Sequence, residues 1–252
     1  MQTYWTLTRR ELAGYFVSLT GYVVIAAATF LLGGSFILLL KRLQGTSMQV
    51  PITEVFFTTW ILVVFVIMVV MTPVITMRLF ALEKYSGTFE TLTTTSVSDL
   101  QIILAKFTAG LAFYVVMWLP LASCLLVIQH YSNDASFLDG GCVASTFLGI
   151  LLLGGLFVSL GCCTSALTRN QVIAAILALA IGGSLVWLGF LAGQLQPQSD
   201  WQSQLLASFA LFNQMYDFAR GVVDTRAVVL YISLTFFFLF LTLRIIESRR
   251  WK

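Results

Sequence analysis

An all-α membrane protein is what this sequence predicts, on three observations. Apolar residues make up 59% of the 252 residues and charged residues only 10%, against about 25% charged in soluble domains, and the mean hydropathy is +0.93. Six apolar runs fall at 22–40, 55–77, 107–129, 141–167, 172–195 and 227–246; at about 1.5 Å per residue, a helical run of about 20 residues crosses a hydrocarbon core of roughly 30 Å. The basic residues between the runs are shared unevenly between the two sides. The chain therefore reads as one transmembrane domain, 1–252, without internal repeats.

The first element precedes the spans. Trp5, Leu12, Tyr15, Phe16 and Leu19 fall in one arc at a helical period, with Arg10 and Glu11 elsewhere on the wheel. That pattern predicts an amphipathic interfacial helix within 1–21. The T-R-R-E-L run hints at a twin-arginine signal, but the following apolar run is too long and lacks a small-residue cleavage site. If this end is cytoplasmic, the inner segments hold Arg9, Arg10, Arg78, Lys84, Lys106, Arg169, Arg244, Arg249, Arg250 and Lys252. The outer ones then hold Lys41, Arg42, Arg220 and Arg226. Ten against four places both termini in the cytoplasm.

Pro73 and Pro120 lie inside the second and third spans and predict kinks. The fourth and fifth spans carry rows of small residues, among them Gly149, Gly154, Gly161, Ala174, Ala178 and Gly182. Such rows bring helix backbones close, within the chain or across a dimer seam. A tight inner turn containing Arg169 and Asn170 joins these two spans and is a possible second contact for a partner. On the outer side, Trp201, Leu205, Phe209, Phe212, Tyr216 and Ala219 form a stripe at helical spacing. It predicts an amphipathic helix, or a broken pair, lying in the outer interface or dipping back into it.

The most informative stretch is the inner segment 77–106. It opens with Arg78, Glu83 and Lys84, which no bilayer core accepts cheaply. Gly87 permits a turn, Thr88 can cap a short helix containing Glu90, and Ser96 and Ser98 precede Asp99 at a second helix start. A short helix along the membrane leading into the third span is expected, built for a partner; the alternative is an ordinary connecting loop with solvated acids.

The motif E-K-x-S-G-T-x-E-x-L, followed by V-S-D-x-Q-I and L-x-K-F, resembles the first cytoplasmic loop of ABC exporter permeases of the gliding-motility (GldF-like) and nitrous-oxide-maturation (NosY-like) kind. The resemblance continues in R-R-E-L-A-G-Y-F-V-S-L-T-G-Y-V-V at 9–24, F-A-R-G-V-V-D-T-R at 218–226 and E-S-R-R-W-K at 247–252. Leu82 stands where a second acid is common, Ser96 where Pro is usual and Ala105 where Gly is usual. The resemblance implies a six-span permease of a bacterial inner (plasma) membrane, and outer helices that cap the translocation path. It makes the loop a coupling helix that docks in a cleft of a separate ATPase, with Glu83, Lys84, Gly87, Thr88, Glu90, Ser96 and Asp99 as the docking segment. It also implies two ATPase subunits that bind ATP and Mg, a second copy of this chain or a sister permease, and room for an extracytoplasmic auxiliary protein.

Several chemistries have no residues to support them. There is no G-x-x-x-x-G-K-[ST] phosphate loop, so ATP hydrolysis is expected in another polypeptide. Cys124, Cys142, Cys162 and Cys163 form no C-x-x-C pair, and with one histidine they read as packing residues rather than metal or redox ligands. A net charge of +3 gives no nucleic-acid signature. The span interiors carry no acid, lysine or histidine, which argues against ion-coupled transport. An intramembrane protease would need Ser35 or Ser184 beside His130, which instead reads as an outer loop residue. A membrane anchor or mechanical relay driven by the same ATPase shares the docking segment with a transporter.

Overall fold

The structure, a computed structural model, describes residues 2–44, 52–87, 98–131, 139–194 and 209–250. Ten helices account for nearly all of them: α1 Gln2–Val17, α2 Leu19–Gln44, α3 Ile52–Thr76, α4 Ala81–Ser86, α5 Asp99–Met117, α6 Leu119–Tyr131, α7 Gly140–Leu167, α8 Gln171–Gln194, α9 Leu211–Ala219 and α10 Thr225–Arg250. Among the described residues there is no strand. Six helical segments are long and apolar enough to cross a membrane: Leu19–Lys41, Trp60–Ser86, Asp99–His130, Gly140–Leu167, Gln171–Gln194 and Thr225–Ser248. The chain is an all-α integral membrane protein, and each expected span has its counterpart.

The helix of the third span starts before its apolar run, at the start that Ser98 and Asp99 predict, and it is interrupted next to Pro120. It begins at Asp99 rather than near Phe107, because Ser98 caps the helix, its Oγ accepting from the Gln101 amide at 3.4 Å. Its break falls at Trp118, just before Pro120. Proline offers no N–H to the carbonyl one turn earlier, and the Trp118 amide is shared between the Val115 and Val116 carbonyls instead. Pro73, by contrast, lies within α3, which continues to Thr76.

Helix α7 is the centre of the bundle. It packs against α3, α5, α8, α9 and α10, and its small residues explain why so many helices approach it. A methyl group at Gly154 would overlap the Tyr114 ring, and one at Gly161 would overlap Thr76. At Gly149 the Phe218 ring and the Met215 sulfur are already within 3.0–3.1 Å of where a Cβ would stand. The small rows are thus used within the chain at these positions. Helices α2, α8 and α10 sit outside, with apolar side chains such as Phe30, Trp187 and Phe236 exposed.

Two polar ties mark opposite ends of α7. Ser145 Oγ donates to the Phe218 carbonyl at 2.6 Å, and Ser165 Oγ binds the start of α4. Twenty helical residues separate these serines, about 30 Å, which is a hydrocarbon thickness. Tyr231, near the start of α10, bonds Gln214 of α9 at 2.6 Å, so α10 runs from the α9 end towards the α4 end. Helix α1 lies at the α4 end too, tied by Tyr4 to Thr108 at 2.9 Å and by Tyr15 to the Ile75 carbonyl at 3.0 Å. Both ends of the described chain therefore share one end of the bundle with α4.

Helix α1 packs on the bundle through a face that includes Leu12 and Tyr15 of the expected stripe. Leu7 and Thr8 are buried and Tyr15 stacks on Phe113 at 4.8 Å, while Trp5 stays exposed. Desolvation of the phenol, with smaller contributions from Cys162 and Glu11, pushes Tyr15 well above its ordinary range. It remains a protonated donor to α3.

Candidate functional site

The segment after α3 is anchored to the bundle before it emerges. Leu79 and Phe80 are buried through the turn 77–80, and the Phe80 and Ala81 amides both donate to Ser165 Oγ, at 3.0 and 3.1 Å. The first amides of a helix have no partner within it, and Phe80 provides no side-chain cap. A serine from the end of α7 takes the capping role, and in turn donates to the Met77 carbonyl at 3.1 Å. Lys84 Nζ donates to the Ala166 carbonyl, satisfying one of the carbonyls that the last turn of α7 leaves open.

Beneath α4 lies an ionic cluster. Lys106 has a side chain only 1% exposed, and its Nζ sits 2.8 Å from Glu83 Oε1 and 3.2 Å from Glu11 Oε1. Arg10, at the rim, lies 3.0 Å from Glu11 Oε1 and 3.8 Å from Glu83 Oε1. The Phe80 ring lies under the ammonium, 5.5 Å from it. Three elements distant in sequence (α1, α4 and α5) thus share one buried lysine. A buried ammonium is tolerable only when paired and hydrogen-bonded, so the cluster fixes α4 against α1 and α5.

The expected docking residues divide accordingly. Glu83 points its Oε1 into this cluster rather than leaving it on a solvated face. Lys84 lies along α7. Gly87 supplies the turn, with φ of 74°, and ends α4. Asp99 occupies the first turn of α5, where its charge complements the helix dipole. Thr88, Glu90 and Ser96 lie outside the described residues. Arg169 and Asn170 are exposed in the turn after α7, at the α4 end; Asn170 Oδ1 caps α8 by accepting from the Val172 amide at 2.9 Å. At the far end, Phe212 of α9 meets Phe65 at 4.2 Å, and the Arg220 guanidinium stacks over Tyr216 at 4.1 Å. Phe209 is half-buried just before α9, and Trp201 and Leu205 lie outside the described residues. Met215 and Phe218, each 1% exposed, show that α9 dips into the bundle.

Sequence reasoning missed Lys106, Glu11, Ser165 and Tyr85 as site residues. Lys106 had a readable signal: it shares a helical face with Ile102, Ile103, Ala109 and Phe113, all buried, and a lysine on such a face requires an acid. Tyr85 was readable as an aromatic inside a polar segment; it is 80% exposed on α4. Of the protease candidates, Ser35 and Ser184 donate to carbonyls of their own helices, Leu32 and Ile181, at 2.8 Å each.

Among the described residues, no group of three or more His, Cys, Asp or Glu side chains is placed to hold a metal. No protein-family model matches this chain, and no curated protein matches it either.

Proposed function

We propose that this chain is the permease subunit of an ABC transporter, an exporter, with α4 and the residues up to Ser98 acting as the coupling segment for a separate ATPase. The observation that carries this reading is the anchoring of α4. A short helix between two spans is held to the bundle core by Ser165 and by the Lys106 cluster, while Leu82 and Tyr85 stay exposed. A rigidly seated helix with an exposed aromatic residue transmits force from a partner into α3 and α5; a loose loop would dissipate it. Tyr85 is suited to be the anchor, since aromatics dominate interface energetics. Glu83 is then a positioning residue, and Glu90 the acid offered to the partner. ATP and Mg bind to two ATPase subunits, and a second copy of this chain, or a sister permease, completes the path.

In this reading the α4 end is cytoplasmic, in a bacterial inner membrane, as the basic residues argue. Reporters fused after Lys252 or inserted at Ser86 are expected to be cytoplasmic, and reporters at Asn133 or Ser199 extracytoplasmic. A cytoplasmic Asn133 reporter would reverse the orientation and remove the docking face.

Partnership is tested by purifying the chain from its native membrane. An ABC ATPase is expected to co-purify, and the isolated chain is expected to hydrolyse no ATP above background. Tyr85→Ala and Glu90→Lys should each weaken ATPase association about tenfold, which is about 1.4 kcal/mol. Asp134→Lys, in the stretch before α7, should leave it unchanged. Full association and turnover in both docking variants would leave α4 an ordinary connection.

A further inference from the structure

Between α1, α2 and the end of α3 lies a cleft of about 170 Å³, with Val24, Val74 and Phe113 among its apolar walls and Arg78 on its polar side. Its lining carries two acids, Glu11 and Glu83, and two bases, Lys106 and Arg78, but the acids do not pair with Arg78. Glu11 and Glu83 are used by Lys106 and Arg10, whereas Arg78 has no carboxylate of the described residues within 4.0 Å. Its Nη1 donates to two neutral hydroxyls, Ser18 Oγ at 2.8 Å and Thr20 Oγ1 at 2.9 Å, and its buried Nε has no partner. A guanidinium presents five N–H donors in a planar fork that matches phosphate oxygens. Here two hydroxyls hold one arm of that fork, and among the described residues no carboxylate pairs with it.

The surroundings say where the anion comes from. The residues next to the cleft on α1 and α2, Val17, Leu19, Tyr22 and Val23, are all large, apolar and exposed. In a membrane protein such a rim faces lipid, not water. We propose that this cleft seats the phosphodiester of a membrane glycerophospholipid, with Arg78 as its counter-charge and Val24 and Val74 as walls for an acyl chain. The lipid wedges between the interfacial helix and the second span, beside the Lys106 cluster. This assignment depends on the membrane setting of the chain and not on the ATPase reading.

Native mass spectrometry and thermal unfolding of the purified, delipidated chain test it, with three additives. Dioleoyl phosphatidylglycerol is expected to give one tightly held adduct per chain and a raised Tm. Dioleoylglycerol, with the same tails and no phosphate, and inorganic phosphate alone should each do neither. Arg78→Gln should weaken the phosphatidylglycerol adduct about tenfold. Gly14→Leu provides a second route: Gly14 lines the cleft and a Cβ there meets nothing within 4 Å, so a side chain can be added at this wall without a clash at its first carbon. It too should weaken the adduct. Equal retention by both variants would overturn the proposal, as would full stabilisation by inorganic phosphate alone or by dioleoylglycerol.

Discussion

Lys106→Ala is expected to lower the stability of the chain by roughly 3–5 kcal/mol, the usual cost of removing one partner from a buried ion pair. The reason is asymmetry. Lys106 is 1% exposed and serves Glu83 and Glu11 at once, so its loss leaves two mostly buried carboxylates with only the exposed Arg10 beside them. Glu83→Gln should cost less, because the ammonium keeps Glu11 at 3.2 Å and the amide oxygen can still accept from it. Arg10→Ala should cost under about 1 kcal/mol, since that side chain is 60% exposed and its pairs are screened by water. Combining Lys106→Met with Glu83→Gln and Glu11→Gln should recover most of the loss, as no charge is then stranded. Equilibrium unfolding in detergent micelles measures each variant. A loss below about 1 kcal/mol for Lys106→Ala would mean that water enters the cluster and that α4 is not held by it.

That cluster also shows how far the sequence could be read. The spans were legible because their signal is local: about 20 apolar residues in a row need no knowledge of neighbours. Ser98 was legible as a helix start for the same reason, since capping acts within one turn. Lys106 was assigned to the loop because a charge next to an apolar run ordinarily marks the membrane boundary. In the fold, α5 extends past that boundary and the lysine turns inward, which requires acids supplied by other elements. One of them lies 23 residues away in α4 and the other in α1. Nothing within a turn of Lys106 names either. The polar contacts of α1 were hidden for a related reason: Glu11 and Tyr15 carry polar atoms whose partners, Lys106 and the Ile75 carbonyl, come from distant elements. The outer stripe was half legible. Phe212, Tyr216 and the fully buried Ala219 of that stripe do sit on a helix, while Met215 and Phe218, outside the stripe, are buried too and reach the gap that Gly149 leaves in α7.

Ser165→Ala is expected to destabilise the chain by roughly 2–4 kcal/mol and to loosen α4 selectively. Two buried backbone amides, Phe80 and Ala81, depend on the Ser165 hydroxyl, and a buried donor left without a partner costs about 1–3 kcal/mol. The Met77 carbonyl loses a donor as well. Ser159→Ala is the matched control. Its hydroxyl is equally buried but donates only to the Leu156 carbonyl of its own helix, at 2.7 Å, so no amide is stranded and the cost should stay below about 1 kcal/mol. Hydrogen exchange separates a local effect from a global one: the Phe80 and Ala81 amides should lose protection first, while amides in the middle of α7 keep theirs. If α4 is the coupling segment, the ATPase co-purified with Ser165→Ala should still bind through Tyr85, but its turnover should respond less to the permease, because the helix it grips no longer moves with α3 and α7. Unchanged stability together with unchanged exchange at Phe80 and Ala81 would show that the serine does not hold the joint, and α4 would then lack the stiffness that coupling demands.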